Sequence, residues 1–167
     1  MQKIVIVGAL GYLGTELCKI YSGESWRNKI IALDNRFISE RVSQLKDWNI
    51  EFFQGHILDK TFLKKHLSDA NAVHHLAGVT DVAYVKTEAN SELDERIQSI
   101  AIEGTNNIIN LIPKNCKIIF PSTHVVFEGF KVAKKNIKEN EKPKPILMYA
   151  SSKVQNEEDI KKSSKNY

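Results

Sequence analysis

The sequence is poor in several features that would each point to a class of protein. It holds two cysteines, Cys18 and Cys116, in 167 residues. That is too few, and they are too far apart, for a disulfide framework. Four prolines and eight glycines exclude a collagen-like or Pro/Gly-rich disordered chain. No apolar run approaches the ~20 residues that cross a bilayer. Aromatics are 8% of the chain, and the late lysines at 131–144 and 161–165 stand among Asn, Glu, Pro and Ser. A nucleic-acid face would interleave its basic groups with aromatics, so a solvated surface is expected there. Metal-ligand spacing is missing as well. His56, His66 and His124 stand alone, and His74 and His75 are neighbours that a strand turns to opposite faces. No metal, membrane or nucleic-acid partner is therefore expected. Met1-Gln2-Lys3 runs straight into Ile4–Val7 and a glycine, an apolar stretch too short for a secretory signal. The expectation is a reduced, cytoplasmic protein, with Cys18 and Cys116 as packing residues and Trp26 and Trp48 as anchors beside strands.

What is present is ordinary globular material: 42% hydrophobic residues, 26% charged and a net charge of +4. The length suits one domain. Continuous apolar runs predict buried strands at 3–7, 29–33, 50–54, 72–76 and 117–120. Helices are predicted at 13–21, 61–67, 88–112 (stopping before Pro113) and 148–165. Residues 125–146 read as a long loop whose lysine-rich part, 131–144, is expected to be mobile. Strands alternating with helices predict an α/β fold, a doubly wound parallel sheet with right-handed crossovers. There is no internal repeat and no linker between domains.

Gly8, Gly11 and Gly14 fall in the turn between the first strand and the first helix. In that place one glycine makes a tight turn, another admits a pyrophosphate, and a third lets helix and strand close up. The helix N-terminus then offers free N–H groups to phosphates. The spacing is three and three rather than two and three, so the context carries the signal more than the glycines do. Part of that context is Asp34, 20 residues after Gly14, at the tip of the second strand. There it can accept both ribose hydroxyls of an adenosine, which favours NAD over NADP. Arg36 can hold a 2′-phosphate, which softens that preference. The carboxylate could instead simply cap the next turn.

Tyr149 and Lys153 lie four apart in a predicted helix and share a face. On its own such a pair is ordinary surface decoration. A phenol titrates near pH 10, too high for a base at pH 7, but a nearby ammonium lowers it. Thr123 follows the fifth strand, at the edge where open α/β sheets bind ligands.

Taken together these residues resemble the extended short-chain dehydrogenase/reductase family, in its nucleotide-sugar epimerase/dehydratase branch. The motifs run in order: the glycine turn, Asp34, His75-Leu76-Ala77-Gly78, Gly104-Thr105-Asn106, Pro121-Ser122-Thr123 with Val126-Phe127, and Glu141 through Pro145 to Tyr149 and Lys153. The resemblance implies a Rossmann-like domain binding NAD through Gly8, Gly11, Tyr12, Leu13, Gly14, Asp34, Asn35, His56, Ile57, Leu76, Ala77, Gly78, Ser122, Tyr149 and Lys153. It implies a catalytic set of Thr123, Tyr149 and Lys153. Tyr149 would deprotonate a sugar hydroxyl as hydride passes to NAD, giving a keto-sugar that an epimerase reduces from its other face. It further implies a nucleotide-sugar substrate and a homodimer through the helices at 88–112 and 148–165.

Three positions depart from that family. His56 stands where the family carries an aspartate that holds the adenine amino group. Ala101 replaces an asparagine near the active site. His124-Val125 replace the Asp-Glu pair with which sugar 4,6-dehydratases eliminate water, so epimerase-like chemistry is favoured. The family also continues past the catalytic helix with further strands and a substrate domain. On that comparison 1–167 is expected to be an N-terminal piece, with its fifth strand left as an open edge. Two further readings follow: a non-catalytic NAD-binding module without a substrate site, and a reductase of the same family acting on a small carbonyl or a flavonoid-like substrate.

Overall fold

The computed structural model describes residues 1–23, 27–79, 91–132, 134–163 and 165–167, and only the backbone of 91–93. Trp26 and the start of the helix expected at 88–112 lie outside the described residues. Five strands, β1 (Gln2–Val7), β2 (Asn28–Asp34), β3 (Glu51–Gln54), β4 (Ala72–His75) and β5 (Lys117–Ile119), form one parallel sheet. Their order is β3-β2-β1-β4-β5. The chain therefore winds outward in one direction from β1 to β3, then crosses back to β4. A crevice opens where the direction reverses, beyond the C-terminal ends of β1 and β4.

The sheet has an apolar core on each face because its strands are apolar on both. Val5, Val7, Ile31, Leu33, Val73 and Ile118 point to one side. There they meet Leu63 and Leu67 of α3 (Lys60–Leu67), Ile108 of α5 (Gly104–Leu111) and Ile160 of α6 (Met148–Lys162). Ile4, Ile6, Ile30 and Ala32 point to the other side, against Cys18 of α1 (Tyr12–Ser22) and Leu45 of α2 (Ser39–Asp47). Each Val, Leu or Ile among these contributes roughly 1.5–3 kcal/mol on full burial. Both cysteines are buried and unpaired. Trp48 ends α2 and packs against the second core.

Four features differ from the sequence expectation. Helix α2 is extra: its apolar signal is thin, with Leu45 its one buried residue. The helix expected at 88–112 is divided. α4 (Ser91–Ile97) passes into a π-helical stretch, Gln98–Glu103, before α5 resumes at Gly104. Thr105 lies just beyond that stretch, and its hydroxyl donates back to the Ala101 carbonyl. A 3₁₀ turn, His124–Phe127, opens the expected loop, and its Val125 N–H donates to the Thr123 side chain. Helix α6 stops at Lys162, short of 165. The terminal residues turn back to the sheet, where the Ile118 N–H donates to the Asn166 carbonyl at 2.8 Å. Asn166 thereby bridges to Lys117, and a groove of about 370 Å³ remains between β5 and α6. Among the described residues no helix is long and apolar enough to cross a membrane.

Candidate functional site

A cleft of about 630 Å³ runs along the C-terminal ends of the strands. Its floor is the glycine turn. Gly8 has φ +86°, a conformation side chains rarely adopt, and a Cβ there would lie 2.6 Å from the Ala77 nitrogen. The Gly8 and Ala9 N–H groups both donate to the Leu33 carbonyl, at 2.8 and 3.0 Å. A Cβ on Gly14 would come within 2.3 Å of the Gly8 carbonyl oxygen. Glycine is thus what lets α1 start directly against β1. Helix α1 has no side-chain cap and no acidic residue in its first turn. Its N-terminal N–H groups and partial positive charge are left for whatever occupies the cleft.

Asp34 closes β2 and is 5% exposed. One of its oxygens accepts the Leu10 N–H at 2.9 Å. The other accepts the Arg36 N–H and Nε–H at 3.0 and 3.1 Å. Asp34 therefore does cap the following turn, and it also pins the glycine turn to β2. Arg41 holds the same turn from outside by donating to the Leu10 carbonyl.

Asn35, His56 and Ile57 continue the wall beyond Asp34, and Leu76, Ala77 and Gly78 form the opposite one. The Gly55 N–H donates to the Asp34 carbonyl at 2.9 Å, which brings the exit of β3 beside β2. His56 Nδ1 accepts the Leu58 N–H at 3.2 Å. The Ile57 carbonyl accepts from the Asn107 side chain of α5 at 3.2 Å.

The catalytic candidates gather at the far end, joined to the cleft through Pro121, which lines it. Lys153 Nζ donates to the Pro121 carbonyl at 3.0 Å. It sits 4.3 Å from the centre of the Phe120 ring and 5.9 Å from that of Tyr149. Burial pushes the Lys153 ammonium down to about 8, against an opposing pull from Glu157. The Thr123 hydroxyl accepts the Val125 N–H at 3.3 Å and keeps its own proton to donate. The Ser122 hydroxyl donates to Glu157 on α6. Thr123, Ser122, Tyr149 and Lys153 stand beside the cleft rather than among the residues lining it.

Sequence reading missed several parts of this site. Arg96 and Ile100 line the cleft from α4 and the π-helical stretch; nothing in their spacing marks them. Glu128 accepts the Ile146 and Leu147 N–H groups at 2.7 and 2.6 Å, just ahead of α6. His74 and His75 do face opposite sides of the sheet. His74 meets the Tyr21 hydroxyl at 2.9 Å, and His75 meets Thr105 at 2.8 Å. His75 is fully enclosed, and burial, helped by the charge of Lys153, lowers it to about 3.

Known proteins resemble this chain in sequence and in fold. The sequence model of the 3-beta hydroxysteroid dehydrogenase/isomerase family matches residues 5–167. A dTDP-D-glucose 4,6-dehydratase of Dictyostelium discoideum is 35% identical over 89 residues, 49% of this chain and 20% of its own length. An uncharacterized protein of Frog virus 3 is 27% identical over 112 residues, 65% of this chain and 29% of its own. The chain thus spans less than a third of these relatives. In structure it resembles a UDP-glucuronic acid 4-epimerase of Bacillus cereus, solved with NAD and UDP-4-deoxy-4-fluoro-glucuronic acid. The TM-score is 0.82 at 23% identity, over 97% of this chain and 52% of the epimerase, which shows the shared Rossmann-like fold. By the family match and the ordered motifs, the chain belongs to the 3-beta hydroxysteroid dehydrogenase/isomerase family, among the extended short-chain dehydrogenases/reductases.

Proposed function

We propose that the cleft binds NAD and that the chain carries the cofactor and proton-transfer part of an enzyme acting on a nucleotide sugar, an epimerase rather than a 4,6-dehydratase. One observation carries the reading: the cleft that begins at Asp34 and the uncapped start of α1 ends at Pro121, whose carbonyl holds Lys153. The glycines support the fit, because side chains at Gly8 or Gly14 would collide with backbone. The first N–H groups of α1 would hold the pyrophosphate. A carboxylate has about four acceptor positions. At Asp34 the ribose hydroxyls would take those now filled by the Arg36 guanidinium, and a 2′-phosphate would meet a like charge.

Bound NAD supplies the hydride acceptor and, later, the donor. Tyr149 would take the proton of the sugar hydroxyl, assisted by the Lys153 ammonium, while Thr123 would donate to the same oxygen. His124 and Val125, which follow Thr123 in the 3₁₀ turn, provide no carboxylate pair for eliminating water. A homodimer through residues 88–112 and 148–165 belongs to the same reading. A second reading, a dinucleotide-binding module without turnover, is favoured by one observation: Tyr149 does not line the cleft.

The test is a melt of the 167-residue chain with about 1 mM NAD, then turnover assays on UDP- and dTDP-sugars. A ligand that binds only the folded state raises the melting temperature. Tyr149→Phe should leave that shift intact and cut turnover by about 10²–10⁴-fold, the range for a general base. Turnover unaffected by Tyr149→Phe would overturn the catalytic assignment. An NAD-induced shift without any turnover would favour the binding module, and no shift at all would remove both.

A further inference from the structure

We infer that Arg96 is the cation that holds the nicotinamide-side phosphate of the bound dinucleotide, reaching it from the wall opposite the glycine turn. The inference rests on the dinucleotide reading and adds to it a residue that no motif singles out. Among the described residues two arginines line the cleft, Arg36 and Arg96. In the ligand-free chain the guanidinium of Arg36 lies on the Asp34 carboxylate at 3.1 Å; ribose hydroxyls that displace it leave it beside Asp34 at the adenosine end, where the two charges offset one another. Arg96 makes no ion pair among the described residues. The excess positive charge of the described cleft wall therefore sits at Arg96.

Its place suits a phosphate. Arg96 stands in the last turn of α4, the helix that follows β4, and lines the same cleft as the start of α1. The residue after it, Ile97, is 1% exposed and anchors the backbone, and the Ser99 hydroxyl donates to the Arg96 carbonyl at 3.3 Å. On the other side the uncapped start of α1 offers N–H groups. A pyrophosphate carries about two negative charges, and one helix N-terminus supplies only about half a positive charge. A guanidinium matches a phosphate with two parallel N–H donors. Because Asp34 fixes the adenosine end on the β2 side, the phosphate nearest α4 is the one bonded to the nicotinamide ribose.

Titrations of the full chain with NAD, ADP-ribose and AMP, repeated at low and high salt, test this. Arg96→Ala should weaken NAD and ADP-ribose about tenfold, leave AMP within about twofold, and flatten the salt dependence of NAD binding. Arg96→Lys should recover part of the loss. Arg96 is exposed, so the ligand-free melt should not move and checks that the variants fold. Unchanged NAD affinity in Arg96→Ala overturns the assignment, as does an equal loss for AMP, which would mark a general charge effect. A wild-type chain that binds none of the three instead overturns the dinucleotide reading itself.

Discussion

The two ends of the cleft are built by different means. At the Asp34 end the groups offered to a ligand are mostly backbone N–H, set by a turn whose Leu10, like Val7 and Leu33 of the neighbouring strands, is 1% exposed or less. At the Tyr149 end they are side chains on α6 and on the segment after β5. Those two pieces are tied by polar contacts: Lys153 to the Pro121 carbonyl, Ser122 to Glu157, and Glu128 to the backbone ahead of α6. The first end is fixed mainly by sterics and apolar burial, which vary little with pH, with Asp34 and Arg41 adding hydrogen bonds to the Leu10 backbone. The second is fixed by hydrogen bonds and charges, which solvent and pH can contest. Binding should therefore be robust where catalysis is tunable.

Substitution of a glycine should break the comparison most strongly. A Cβ on Gly14 would overlap the Gly8 carbonyl at 2.3 Å and Ala9 atoms at 2.7 and 2.8 Å. Those are backbone atoms that cannot rotate aside, so α1 would have to move. Gly14→Ala should cost about 4 kcal/mol in urea unfolding and abolish NAD binding. Gly78 lines the same cleft, but a Cβ there meets nothing within 4 Å. Gly78→Ala should leave ligand-free stability within about 0.5 kcal/mol. Similar losses from both substitutions would mean that sterics do not fix this end.

The same division explains what could be read from sequence. Short β-branched runs such as Ile4–Val7 announce strands buried on both faces, and the glycines with Asp34 announce the turn, because each rests on local chain geometry. The rest depends on contacts distant in sequence. Helix α2 buries mainly Leu45, too little for a periodic signal. The π-helical stretch at Gln98–Glu103 is invisible to a helical period. Arg96 and Glu128 acquire their positions from the crossover after β4 and from the return of the loop after β5. The lysine-rich segment also shows local order, with Lys134 paired to Glu141 at 2.7 Å and 4.5 Å from the Phe130 ring centre. Nothing in its composition foretells that pairing.

The polar end should show itself in acid. Burial holds His75 at about 3 in the folded chain, whereas an unfolded imidazole titrates near 6.5. Between those values the unfolded state binds the extra proton. Folding free energy should therefore be undiminished above pH 6.5 and fall as the pH drops towards 3, by at most about 1.4 kcal/mol per unit from this group. In urea melts at pH 7, 6 and 5, His75→Gln should lose less stability with acidification than wild type, whatever its starting value. Equal slopes would show that His75 is not what couples this end to protons.

The smallest effect sharpens the comparison most, because it separates position from affinity. Glu128 Oε1 accepts two N–H groups, at 2.7 and 2.6 Å, and the second belongs to Leu147, two residues before Tyr149. The carboxylate thus links the end of the 3₁₀ turn that follows Thr123 to the start of the helix carrying Tyr149 and Lys153. Glu128→Ala leaves both donors without this partner and should cost about 2 kcal/mol. Glu128→Gln keeps an acceptor oxygen, loses only the charge, and should cost less than about 1 kcal/mol. If the contact positions Tyr149, turnover should fall in the order wild type, Gln, Ala while NAD affinity stays constant, since Glu128 does not line the cleft. An alanine variant that keeps full turnover would show that α6 finds its place by apolar packing alone. Turnover and NAD affinity falling together would mean that the two ends of the cleft form one rigid unit, and the contrast between them would have to be given up.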